Sequence, residues 1–162
     1  APQPQQEAQG LPGLSADWKG RETMHITLES DYALRIVYYL LQRGERTDAA
    51  QIARETGVTL RFALKILRKL VAAGLVRSFK GAAGGYEPAR KPEEISMGDV
   101  IAAIEGVYCL NRCLKPDVGC SRNMAEVCPI HGAFDRISRS VRGMLAEETF
   151  DKLLAEAPKN HE

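Results

Sequence analysis

Four cysteines, Cys109, Cys113, Cys120 and Cys128, fall within twenty residues of a 162-residue chain that holds no others. Crowded thiols can bridge, ligate a metal or cluster, or exchange electrons. No run of about 18 apolar residues suits a membrane span, and no basic stretch leads into an apolar secretion signal. A cytoplasmic location is therefore the default, and reducing conditions there favour ligation or redox chemistry over structural disulfides. The spacing C-x3-C-x6-C-x7-C lacks the paired C-x2-C or C-x4-C knuckles usual in a structural zinc site. The stretch between, with Lys115, Pro116, Gly119 and Asn123, suits a loop wrapped around something larger than one ion, and Cys128 followed by Pro129 is common in iron–sulfur ligation. The spacing admits an iron–sulfur cluster, a zinc site, or free or redox thiols.

A second chemistry is written in the charges. From Thr59 to Lys91 there are eight Lys or Arg (Arg61, Lys65, Arg68, Lys69, Arg77, Lys80, Arg90 and Lys91) against one acid, Glu87, so this stretch nets +7 within a chain of +1. Such a concentration is the footprint of a phosphate-binding face; a merely solvated helix face is the plain alternative. No nucleophile with its base, no phosphate-binding P-loop and no paired carboxylates stand out, so an enzyme is not expected.

Elements must hold these groups in place. In "LESDYALRIVYYLLQRGE", Ala33, Val37, Leu40 and Leu41 share a helical face, with Ser30 or Asp31 as N-cap and Gly44 as the stop. A second helix fits "TDAAQIARETG", capped by Thr47 or Asp48 and ended by Gly57. The third, "TLRFALKILRKLVAAG", places Leu60, Leu64, Leu67 and Val71 as a core stripe, with the basic residues opposite and Gly74 closing it. Two short strands follow, Leu75 to Lys80 and about Gly85 to Pro88, joined by a Gly/Ala turn. "SMGDVIAAIEGV" is a further capped helix with Val100, Ile101 and Ile104 inside. Past the cysteines, Phe134, Ile137, Val141, Met144 or Leu145, and Leu153 mark one long helix running to about Ala157.

Three helices and a ribbon in this order make a winged helix-turn-helix: mostly α with a small β-ribbon, followed by a long C-terminal helix. The third helix then enters the major groove. Thr59, Arg61 and Phe62 at its start are candidate base readers, and Lys65, Arg68, Lys69, Lys80 and Arg90 candidate phosphate contacts. Gly84 and Gly85 either loosen the ribbon tip or let backbone approach DNA closely. The expected organisation is a disordered leader or tag over 1–23, with Trp18 its only anchor candidate, the DNA-binding unit over 24–92, a connecting helix over 93–108, the cysteine loop over 109–128, a dimerisation helix over 129–157 and a tail over 158–162.

"TLESDYALRIVYYLL", "IARETGVTLRFALKILRKLVAAGLVRSFKGAAGGYEPAR", "ISMGDVIAAIEG" and "CPIHGAFDRI" together resemble the Rrf2 family of bacterial winged-helix transcription regulators, from Met24 to about Ala157. The family contains iron–sulfur, nitric-oxide and iron-responsive repressors and a cysteine-metabolism branch without a cluster. The resemblance implies a homodimer built on the long helix, a palindromic double-stranded operator, and a cluster, [2Fe–2S] or [4Fe–4S], on Cys113, Cys120 and Cys128. For a fourth ligand it offers His131, Asp31 of the partner subunit, or Cys109, which is an addition to the family pattern. Each has a plain reading as well: Asp31 as an N-cap, His131 as a first-turn residue, Cys109 as a small apolar residue. A zinc-binding or thiol-redox protein, or a cluster-free winged-helix regulator, remains the alternative.

Overall fold

The computed structural model describes residues 26–156 apart from Ala82. The leader expected over 1–23, with Trp18, and the tail over 158–162 lie outside the described residues. Six α-helices, α1 (Leu28–Arg43), α2 (Ala49–Thr56), α3 (Leu60–Ala72), α4 (Met97–Glu105), α5 (Pro129–Glu147) and α6 (Phe150–Ala155), accompany two strands, β1 (Val76–Phe79) and β2 (Gly85–Pro88). The strands form an antiparallel ribbon with Arg77 opposite Glu87 and Ser78 opposite Tyr86. Thr47 adds a third backbone pairing, its N–H donating to the Tyr86 carbonyl at 2.9 Å and its carbonyl accepting from Tyr86 at 2.8 Å. The ribbon is thereby hung on the α1–α2 turn, as a winged helix requires.

Local chemistry explains the boundaries. Asp48 caps α2 by accepting from the Ala50 and Gln51 N–H groups, and Ser96 and Asp99 form a reciprocal capping box at α4. Gly74, at φ +69°, follows α3 while Leu75 N–H reaches back to the Leu70 carbonyl at 3.0 Å, the left-handed turn that glycine allows. The cap of α1 is Thr27 rather than Ser30 or Asp31: its Oγ1 accepts from Ser30 N–H at 3.2 Å, while the Ser30 hydroxyl donates to Glu105 instead.

Ala33, Ile36, Leu40, Ile52, Ala63, Ile66, Leu67 and Leu70 are fully buried between α1, α2 and α3, joined by Ile95, Val100 and Phe150. The core stripe of α3 is thus Ala63, Ile66, Leu67 and Leu70. Leu60 and Leu64, expected inside, are 46% and 40% exposed. Two apolar rows run along α3 about 80° apart at 100° per residue. The row that includes small Ala63 is the one that fits against the neighbouring helices.

The single helix expected from 129 to about 157 is two helices. Met97 N–H donates to the Glu148 carbonyl at 2.8 Å, Ser96 bridges to Thr149, and Phe150 N–H donates to the Ile95 carbonyl at 3.0 Å. These bonds hold residues 148–149 extended, so the chain turns and drops Phe150, 1% exposed, into the core. On α5 only Ser138 is fully buried; Ile130, Ile137 and Met144, spaced seven apart, are 65%, 48% and 67% exposed.

Candidate nucleic-acid interface and cysteine loop

Helix α3 presents a basic face to solvent. Arg61, Lys65 and Arg68 are exposed, whereas Phe62 packs edge-on against Tyr32 with ring centroids 5.7 Å apart. Arg61, Arg68, Lys80 and Arg90 make no ion pair among the described residues. Their charge is therefore available to an external anion. Lys65 and Lys69 differ, because both turn to Glu29 on the first turn of α1: Lys65 Nζ donates to Oε2 at 3.1 Å, and Lys69 Nζ approaches Oε1 to 2.7 Å off the line of a hydrogen bond. The Lys69 ammonium, opposed by burial and assisted by Lys65, holds the Glu29 carboxyl below its ordinary range.

The ribbon glycines have a third explanation. A Cβ on Gly85, at φ +149°, would stand 2.8 Å from the Thr47 carbonyl oxygen, and one on Gly84 would stand 2.7 Å from that of Phe79. Both glycines are demanded by the ribbon's own closeness to itself and to the α1–α2 turn. Arg46 lies over the Phe79 ring at 3.4 Å and donates to the Ala83 carbonyl at 3.2 Å, fastening the same tip.

Beyond α4 the chain runs through two 3-10 turns, Arg112–Leu114 and Ala125–Val127, before α5. All four cysteines are free thiols and half-buried. Cys113 Sγ lies 3.5 Å from His131 Nδ1, a pairing that joins the loop to the first turn of α5. Cys109 instead points its thiol toward the Leu114 carbonyl at 4.0 Å and lines a cavity of about 500 Å³ with Ile101, Tyr108 and Val141. The backbone N–H groups of Met124 and then Arg122 lower the Cys120 thiol from its ordinary value, favouring the thiolate that ligates or reacts. Asp31 pairs with Arg35 one turn along α1 at 2.5 Å.

The donor set, three thiols of the loop with no disulfide and an imidazole on the first turn of α5, fits a thiolate-held cluster in its chemistry. Only Cys113 and His131 are brought together, however; among the described residues no three His, Cys, Asp or Glu side chains converge on a single point. Two polar fastenings tie this loop to its neighbours. On one side Leu110 N–H donates to Ser138 Oγ at 3.0 Å and Arg142 Nη1 to the Tyr108 carbonyl at 2.8 Å, both on α5. On the other, Glu105 at the end of α4 accepts from Thr27 N–H at 3.0 Å, from Thr27 Oγ1 at 2.7 Å, and from the Ser30 hydroxyl. Burial acts to raise the Glu105 carboxyl, but those hydrogen bonds prevail and hold it below the ordinary range. Neither Glu29 nor Glu105 was marked by sequence pattern: a lone acid shows its partners only when distant helices meet.

Among the described residues no helix is long and apolar enough to cross a membrane. Residues 26–156 match the family model described as Rrf2, iron-dependent transcriptional regulator. "Protein rrf2" of Nitratidesulfovibrio vulgaris is 30% identical over 132 residues, 80% of this chain and 81% of the relative. The HTH-type transcriptional regulator NsrR of Bacillus subtilis is 26% identical over 125 residues, 76% of this chain and 83% of the relative. Among solved structures the fold resembles IscR of T. potens, with a TM-score of 0.67 at 22% identity over 86% of this chain and 92% of that one. It also resembles CymR, the global cysteine regulator of B. subtilis, with a TM-score of 0.64 at 25% identity over 82% and 98%.

Proposed function

Because the chain belongs to the Rrf2 family, and is a transcription regulator with a DNA-binding fold rather than an enzyme, we propose that it is a homodimeric regulator whose grip on a palindromic operator is set by an iron–sulfur cluster. Cys113, Cys120 and Cys128 would hold the cluster, with His131 as fourth ligand in preference to Cys109 or Asp31 of the partner subunit. The observation that carries this reading is the 3.5 Å approach of His131 Nδ1 to Cys113 Sγ: a soft thiol and an imidazole meet where the loop returns to α5. When bound, a cluster supplies a centre sensitive to oxidation, nitric oxide or iron supply, the more so with one non-thiolate ligand.

The chain's own residues supply the coupling. Ser138 and Arg142 fasten the start of the loop to α5, the proposed dimer helix, and Glu105, at the end of α4 just before the loop, binds Thr27 and Ser30 at the start of α1. A loop that shifts therefore pulls on both the dimer helix and the unit that carries α3. Half-sites on DNA lie about one helical turn apart, about 34–36 Å, so small changes in the spacing of two α3 helices alter affinity. Thr59 and Arg61 would meet bases; Arg68, Lys80 and Arg90 would meet phosphates.

The test is anaerobic purification with iron and sulfide analysis, followed by fluorescence anisotropy against duplexes selected from a random library. Iron matched by sulfide, and an affinity that changes when the metal is removed, are expected, and Cys120→Ala should lose both the metal and the change. A protein free of iron under these conditions overturns the cluster and leaves a cluster-free regulator. Absence of duplex binding at low salt overturns the DNA-binding reading itself.

A further inference from the structure

The two leucines that α3 leaves in solvent need an occupant. Leu60 and Leu64 are 46% and 40% exposed, one turn apart, and line a shallow concavity of about 930 Å³ with Thr59, Arg61 and Arg68. Around the helix, Leu64 is only about 40° from Arg68, at 100° per residue. No acid lies on α3, and the leucines are bordered by arginines that make no ion pair among the described residues. An apolar protein surface gains little from a seat ringed by guanidinium groups. A nucleic-acid groove does gain, because phosphates flank its base edges and meet Arg68 while Arg61 and the leucines face inward.

We propose that Leu60 and Leu64 read thymine in the operator through its C5 methyl group. This rests on the DNA-binding reading above and assigns the bases it selects. In the major groove the thymine methyl is the one apolar feature of any base edge. A leucine offers no hydrogen bond, so it favours that methyl and disfavours the bare donors and acceptors of the other edges, which it would desolvate without a partner. The two side chains are about 6 Å apart along the helix axis, close to two steps of about 3.4 Å on duplex DNA. Each half-site therefore carries two thymines about two steps apart.

The experiment uses the full chain and duplexes selected from a random library, with each thymine replaced singly by deoxyuridine, which removes the methyl and leaves every hydrogen-bonding group. Two positions per half-site should each lose affinity about fourfold, the effect of one methyl withdrawn from apolar contact. Leu60→Ala and Leu64→Ala should each weaken the unmodified duplex to a similar degree and become indifferent to deoxyuridine at one of those positions. If the wild-type protein prefers its selected duplex over a scrambled one yet deoxyuridine is neutral at every position, the leucines do not read thymine while DNA binding stands. If no duplex binds at low salt, this inference falls together with the DNA-binding reading. The wild-type scan needs no variant, so a poorly folded alanine protein cannot mask the outcome.

Discussion

Glu29→Gln isolates the role of the carboxylate that holds two lysines of α3. Glu29 is 18% exposed and meets Lys65 at 3.1 Å and Lys69 at 2.7 Å, with those lysines 55% and 35% exposed. Pairs this open to water are heavily screened, so the two together stabilise the fold by about 1 kcal/mol, or about 4 °C in Tm for a domain of this size. The effect on DNA binding has the opposite sign. With the carboxylate neutralised, Lys65 and Lys69 are released to phosphates, and each added contact steepens the fall of log K with log salt by about 0.9. The slope should therefore steepen by about 1 to 2, measured by anisotropy from 50 to 200 mM salt on one duplex, with tighter binding at the low-salt end. Because Lys69 lowers the Glu29 carboxyl, its contribution to stability is complete above the unfolded-state value and fades as pH falls through the lowered folded one. The Tm gap between wild type and variant should then close below about pH 4. A slope unchanged in a variant of native circular dichroism would falsify the idea that Glu29 keeps these lysines from phosphate.

Arg68→Ala and Arg90→Ala should each flatten the same salt slope by about 0.9, a loss spread evenly over duplex sequences for a phosphate contact; a steeper or unchanged slope speaks against contact. Gly85→Ala forces a Cβ to 2.8 Å from the Thr47 carbonyl at a left-handed φ, so it should destabilise by about 2 kcal/mol or more, and a variant as stable as wild type in urea would show that the ribbon relaxes freely. Ile137→Asp places a charge in the middle of the heptad row Ile130, Ile137 and Met144 and should yield monomers in analytical ultracentrifugation; an unchanged dimer places the interface elsewhere. Glu105→Ala removes the acceptor shared by Thr27 and Ser30 and leaves the buried Ser30 hydroxyl unpaired, at about 1–3 kcal/mol, read as a Tm loss.

Where a signal lies within one helical turn, sequence located most element ends, though not Thr27 as the cap of α1. Asp48, Ser96, Gly44, Gly57 and Gly74 act through bonds that close over two to five residues, so the starts of α2 and α4 and the ends of α1, α2 and α3 follow from them. The order of three helices and a ribbon, the +7 stretch and the cysteine spacing are likewise properties of the chain itself. Tertiary structure decided what periodicity leaves degenerate. Leu60 and Leu64 are as apolar as Leu67 and Leu70, and only the fit of small Ala63 against neighbouring helices settles which row is buried. The break after Glu147 is invisible in an apolar pattern that continues to Leu153; it arises because Ser96 and Ile95 capture the backbone of residues 149 and 150. The meeting of Glu29 with Lys65 and Lys69, of Glu105 with Thr27 and Ser30, and of Cys113 with His131 spans 18 to 78 positions. Chain spacing carries no information about such contacts, because the packing of helices, not local propensity, brings their side chains within a few ångströms.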